Sequence, residues 1–307
     1  MMFTEVASLP FRKIYSVDFE YCGADGEIPK IVCMVIEDLR SGEISRYWRN
    51  DLCKMKTPPF ETGEDVAIVS YFAPAEVQSM VALSWTINVS VIDLFAEFRC
   101  QTNGDPNVGR KSLVSALQFY GLKQFVPEEK DSMRDLILSG GPWSEAQRSA
   151  ILDYCQQDVI ALGPLLDAML KRAPWSELQF NQAILRGRYM KAVGAMQHRG
   201  IPIDLDMFDK LNANWEDIKL NLIENVDAQY GVYVDGRFKE ALFQSYLARG
   251  MIPWPRLDSG RLALDRNTFS NMSKRYPIVQ PLHELRKTLG EFKLNNLAVG
   301  RDGRNRT

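Results

Sequence analysis

"KIYSVDFEYCG", residues 13–23, decides how the chain begins. The apolar run Ile14-Tyr15-Ser16-Val17 reads as a strand, and it delivers Asp18 and Glu20 with one residue between them. Side chains two apart on a strand share a face, so the carboxylates stand side by side, roughly 6–7 Å apart at a rise of about 3.3 Å per residue. Like charges that close repel, more strongly where water is excluded. The stretch therefore predicts a strand that carries a cation site or wastes stability.

Working outward, Ile14–Phe19, Ile31–Ile36 and Ile44–Trp48 read as three strands joined by the turn-rich "GADGE" and "DLRSGE", as hairpins require. "DVAIVSYF" (65–72) is a buried strand, followed by helical spacing in "APAEVQSMVAL". "VSVIDLF" (89–95) is a strand running into a helix. "KSLVSALQFYGL" and "KDSMRDLIL" are helical, and Ser144 with Gln147 forms a capping box that opens a long helix, which Gly163-Pro164 is expected to kink or break. Strands first, then alternating helices and strands, predict a mixed α/β sheet over residues 1–173. Beyond it the strand signal fades. Residues 178–199 read as one amphipathic helix ending at Gly200, Asp204 or Asp206 caps the next through "FDKLNANWEDIKLNLIENVDAQYG", and further helices occupy 174–307, with the boundary around "KRAPWSE".

Composition sets the outer limits. The chain has 307 residues, 46% hydrophobic and 25% charged, enough for a sizeable core and two domains. No apolar run reaches the roughly 20 residues of a membrane span, and the start lacks the pattern of a secretory signal. Five cysteines without a C-x-x-C pair suit a reduced, cytoplasmic protein, bacterial or in a phage's host, with neither zinc site nor disulfide framework. Net charge is −2, unevenly placed: 17 Lys+Arg against 24 Asp+Glu through residue 174, then 20 against 15. An acidic part joined to a basic part suits a protein that holds cations in one place and polyanions in another; ordinary charge scatter is the plain alternative.

Four acids and a tyrosine form the candidate site. Asp18 and Glu20 sit on the first strand, Asp93 at the end of "VSVID", and Asp158 on the capped helix with Tyr154 one turn earlier on the same face. Carboxylates converging from separate elements are what hard divalent cations require, with open positions for phosphate and water. Two such ions roughly 3.5–4 Å apart stabilise both oxygens of an in-line phosphodiester displacement. On this reading Asp18 bridges, Glu20 and Asp158 complete one site, Asp93 serves the second, and the Tyr154 hydroxyl orients the attacking water. Each element alone has a plainer reading: solvated acids for D-x-E, packing for the tyrosine, an N-cap for Asp93. No Walker sequence, G-x-G-x-x-G or histidine pair competes within the α/β part.

DFE, a later strand-end Asp and Y-x-x-x-D resemble the three motifs of DEDD-type 3′–5′ exonucleases, in the subgroup that uses tyrosine; the position five before the last acid, where the other subgroup has histidine, is Asp153. "NVSVIDLFAEFRCQTNG" resembles the second motif of proofreading domains in bacteriophage and bacterial family A DNA polymerases. "GIPIDLDMFDKL", "IPWPRLDSGRLALD", "YPIVQPLHELRKTL" and "LNNLAVGRDGRNRT" are similar to the segment leading through the thumb toward the palm of those enzymes. The resemblance implies a ribonuclease H-like sheet, two Mg²⁺ or Mn²⁺ ions, and release of nucleoside monophosphates from a single-stranded or frayed DNA 3′ end. Palm aspartates and fingers are absent, so this chain alone is not expected to polymerise. The remaining polymerase part is an expected partner, in cis or as a separate chain. Tyr21 and Asn88 are expected strand contacts. Arg261, Arg266, Lys274, Arg275, Arg286, Lys287 and Lys293 are expected phosphate contacts, or else a solvated helical face. Two rivals remain: an RNA-trimming exoribonuclease of the same superfamily, and a DNA-binding subunit of a split polymerase without catalysis.

Overall fold

The computed structural model describes residues 4–122 and 127–306. After a short helix α1 (Thr4–Ala7) come β1 (Lys13–Cys22), β2 (Lys30–Asp38), β3 (Ile44–Trp48), α2 (Arg49–Leu52), β4 (Val66–Ser70), α3 (Pro74–Ala82), β5 (Ser90–Asp93) and α4 (Leu94–Gln101). Helices α5 (Leu113–Phe119), α6 (Pro127–Leu138), α7 (Glu145–Arg172) and α8 (Glu177–Arg199) follow. The five strands form one sheet in the order β3-β2-β1-β4-β5. The first three are antiparallel neighbours, while β1, β4 and β5 run parallel. This is the mixed, helix-flanked sheet of the ribonuclease H-like fold.

Alternation along β1 distributes its side chains. Tyr15, Val17 and Phe19 enter a core with Met34, Ile68, Met80 and Trp85. Phe19 is buried and its ring centroid lies 6.3 Å from that of Trp85. On the other face Cys22, Val32, Cys33 and Val35 pack with Ile151, Cys155 and Val159 of α7. Asp18 and Glu20 have the parity of this second face, beneath α7. Ser144 caps α7 with the full reciprocal box expected of it. Pro164 lies inside α7 without ending it. Burial of Leu162, Leu165, Leu166 and Met169 holds the helix on the sheet, which outweighs the roughly 3 kcal/mol cost of an interior proline.

The chain divides into two compact units, residues 1–202 with 298–307, and residues 203–297. This departs from a boundary at 173/174, because α8 belongs to the first unit. Its Gly187 meets β5 so closely that a Cβ would overlap the carbonyl oxygen of Val91, and a Cβ at Gly194 would lie 2.7 Å from that of Val77. The last residues return to the same unit: Ile201–Pro202 pair with Arg304–Asn305, and buried Arg306 donates to the carbonyls of His198 and Gly26. The second unit holds α9 (Leu205–Ala213), capped by Asp204, α10 (Trp215–Asp227), α11 (Glu240–Arg249), α12 (Arg266–Arg275) and α13 (Gln280–Glu291). They enclose Ile223, Phe243, Leu247, Phe269, Leu282 and Leu285. The single helix expected through 208–231 is two, broken at Asn214, whose backbone leaves the helical region just before Trp215 stacks on Phe292. Among the described residues no helix is long and apolar enough to cross a membrane.

Candidate active site

A cleft of about 360 Å³ opens at the end of β1, lined among others by Asp18, Glu20, Tyr21, Tyr71, Phe72, Glu76, Arg134, Tyr154 and Asp158. Four carboxylates therefore face one space, from β1, from the first turn of α3 and from α7. Ligand atoms of Asp18, Glu20 and Cys155 lie within 4.8 Å of one another. The Cys155 thiol donates to Oδ2 of Asp18 at 3.3 Å and is itself fully buried. Burial holds that thiol well above its ordinary pKa, reinforced by a hydrogen bond with Cys33 and by the charges of Asp18 and Glu20. It is therefore a proton donor to the carboxylate.

Glu76 escaped the sequence reading. Its side chain bonds to that of Asp18, is 3% exposed, and leaves Oε2 without a hydrogen-bond partner. Burial first, then the charge of Asp18, pushes its pKa well up, so without a cation its charged form is disfavoured beside Asp18. An acid in the first turn of a helix ordinarily reads as a partner of the helix dipole; only the sheet order, which sets the end of β4 beside Asp18's strand, gives it another meaning.

Asp93 is not among the described residues that line the cleft, though its charge acts on Glu76 and Tyr71, which are. Its carboxylate is buried and accepts from the backbone N–H of Ala73 and of Ala96, both at 2.7 Å. It is the N-cap of α4 and also clamps the turn before α3. That turn carries Phe72 at φ 75°, a left-handed conformation costly for a bulky residue. Asp93 thus holds in place the segment that presents Phe72 and Glu76.

Tyr154 lines the cleft with its hydroxyl's pKa raised, by burial first and then by Asp158, Glu20 and Asp18. It remains a phenol and can donate or orient, not abstract. Asp153, on the same helix, pairs with Arg46 at 2.8 Å. Arg134 is the one cation among the described lining residues and also escaped the sequence reading. Tyr21 lines the cleft, 37% exposed. Asn88 does not: it precedes β5, at the opposite end from Asp93, and its carbonyl accepts from the N–H of Gly63.

The basic residues lie in the second unit. Arg261 is held by Glu240 and Arg266 by Glu291, both at 2.6 Å. Arg286 is half-buried, its guanidinium 4.4 Å from the Phe238 ring centroid and 4.5 Å from that of Phe269, so its charge lies against two rings. Lys274, Arg275, Lys287 and Lys293 are exposed, with Arg275 over Tyr276.

No known family model matches this sequence, and no curated protein does. Solved structures do. The POL domain of Pol1 from M. smegmatis, in complex with DNA primer-template and dNTP, is similar over 98% of this chain and 49% of that one, at 15% identity and a TM-score of 0.60. The present chain thus spans about half the length of the polymerase domain it matches. Brucella melitensis NrnC bound to pGG is similar over 59% of this chain and 83% of that one, at 15% identity and a TM-score of 0.43.

Proposed function

We propose that this chain is a divalent-metal-dependent 3′–5′ exonuclease that releases nucleoside monophosphates from single-stranded or frayed DNA 3′ ends. The observation that carries it is the convergence of Asp18, Glu20, Glu76 and Asp158 on one cleft that Arg134 also lines. The donor set fits Mg²⁺ or Mn²⁺: all four are hard oxygen ligands, and the orphaned Oε2 of Glu76 is a buried acceptor lacking its charge partner. The cations would supply neutralisation of the phosphodiester's charge and a water acidified toward neutral pH.

The chain's own groups do the rest. Cys155 fixes the rotamer of Asp18 through its thiol hydrogen bond. Tyr154, kept protonated, donates to and orients the incoming water or the phosphate oxygen. Arg134 neutralises the phosphate next to the scissile bond. The rings of Tyr21 and Phe72 receive the terminal base by stacking. Similarity of fold to a family A polymerase domain over nearly the whole chain supports a place at the front of such a polymerase, where this unit would proofread. The exposed basic residues of the second unit would then meet the duplex phosphates.

The test is a 5′-labelled oligonucleotide, DNA and RNA side by side, incubated with Mn²⁺ or Mg²⁺. Stepwise shortening of the DNA from the 3′ end is expected, with Asp18→Ala and Glu76→Gln each slowing it at least 100-fold. Full-rate cleavage by Asp18→Ala would overturn the assignment, and preference for RNA would move the substrate to the ribonuclease side.

A further inference from the structure

Beside the acid cleft runs a second groove of about 370 Å³, lined by Phe95, Ala96, Arg99, Cys100, Asn103, Arg186, Tyr189 and Met190. Its floor is rigid. Arg186 of α8 clasps the buried Glu97 of α4 with two bonds, at 2.6 and 2.8 Å, and Gly187 seats α8 against β5. That pair neutralises Glu97, and no acid lines the groove among the described residues. Its walls are aromatic and cationic: Tyr189 is 68% exposed, and the exposed guanidinium of Arg99 lies over the Phe95 ring at 5.6 Å.

The groove adjoins the cleft through one ring contact. Phe72 lines the cleft and Phe95 the groove, and their rings meet edge-to-face at 5.3 Å and 89°. The two rings form one shared ridge, and Phe72 stands on it in a strained conformation that Asp93 enforces.

We propose that this groove is the track for single-stranded DNA upstream of the scissile bond, an inference that rests on the function proposed above. Nucleotides leaving the cleft in the 5′ direction cross the Phe72–Phe95 ridge, stack on Tyr189, and place a phosphate on Arg99 while Asn103 bonds a base or sugar. Aromatic faces with interleaved cations and no carboxylate are the chemistry by which proteins hold single strands without reading sequence. The consequence is length preference: the enzyme would handle an octamer far better than a dinucleotide, which can fill only the cleft.

The experiment measures anisotropy of a 5′-fluorescein dT octamer in Ca²⁺, and in parallel hydrolysis of the octamer and of a dT dinucleotide in Mg²⁺. Arg99→Ala and Tyr189→Ala are expected to weaken octamer binding about tenfold each, with Tyr189→Phe retaining wild-type affinity. Arg99→Ala should also lower the slope of log affinity against log salt by about 0.7. The loss in kcat/KM should be at least tenfold greater for octamer than for dinucleotide. Octamers carrying 5-iododeoxyuridine should photocrosslink to Tyr189 of the unaltered protein from positions upstream of the 3′ terminus. Wild-type octamer affinity in both alanine variants, with no crosslink from any position, would overturn the groove while leaving a hydrolysing wild type's exonuclease reading intact. A wild type that hydrolyses neither substrate yet loses octamer binding in Arg99→Ala would sink the exonuclease reading and keep the groove.

Discussion

The thiol of Cys155 lies 3.3 Å from Oδ2 of Asp18 and 3.4 Å from its carbonyl oxygen, buried between α7 and the first strand. A neutral donor against a carboxylate fixes its orientation without competing for a cation. Cys155→Ala removes the donor, and at about 1 kcal/mol for one hydrogen bond Mn²⁺ affinity should fall about fivefold. Cys155→Ser restores a donor and should recover most of it. Paramagnetic titration of Mn²⁺ reads both; equal affinity in Cys155→Ala and wild type would remove the thiol from the site's design.

Glu76 and Asp93 are both buried acids, and their substitutions should part company. Asp93→Asn places an NH₂ against one of two buried backbone donors and should cost about 1–3 kcal/mol of stability, with the Mn²⁺ response retained. Glu76→Gln relieves repulsion with Asp18, so without metal it should melt higher than wild type, while the shift produced by Mn²⁺ shrinks. Melting of each variant with and without Mn²⁺ separates a cap from a ligand. A full metal response in Glu76→Gln would remove Glu76 from the metal ligands.

These two acids also set a pH dependence. Burial pushes Asp93 up to about 6 in spite of its two N–H donors, and Glu76 moves the same way. An acid whose folded pKa is raised leaves stability intact at low pH and takes it away as pH rises through the folded value. The metal-free protein should thus lose stability between about pH 4 and 6, by about 3 kcal/mol for Asp93. Asp302, held near 2 by Arg306, acts oppositely, and its contribution is lost only below about pH 4. Stability of the metal-free protein should peak near pH 4, and Mg²⁺ or Mn²⁺ should flatten the decline above it, since it favours the charged form of Glu76. Urea unfolding across pH 2.5–8 with EDTA or Mn²⁺ checks both slopes.

What the sequence disclosed was what local chemistry dictates. Period-two alternation placed Asp18 and Glu20 on one strand face, and Ser144 with Gln147 announced the start of α7. Where a side chain's meaning depends on another element, the sequence was silent or misleading. Asp93 ends a strand and could serve a cap or a metal; two backbone donors, from Ala73 and Ala96, make it a cap. Glu76 gains its place only because β4 lies between β1 and β5. Arg286 reads as an exposed helical cation, yet two phenylalanine rings enclose it. The attachment of α8 was hidden for the same reason, since a glycine in a helix shows no pattern until the strand it touches is known.

That attachment yields the last prediction. Gly187 lets α8 lie directly on β5, and a methyl group there would overlap the Val91 carbonyl oxygen, a backbone atom that cannot rotate away. Gly187→Ala should therefore destabilise the first unit by about 3 kcal/mol or more, against the usual gain from replacing a helical glycine. Gly290 in α13 is the internal contrast: nothing lies within 4 Å of its added Cβ, so Gly290→Ala should stabilise the second unit by about 0.5–1 kcal/mol. Calorimetry of both variants reads the two signs. Because α8 also forms one wall of the Arg99–Tyr189 groove, Gly187→Ala should weaken octamer binding together with stability. A variant that melts like wild type would show that the helix does not approach the sheet as closely as the glycine allows.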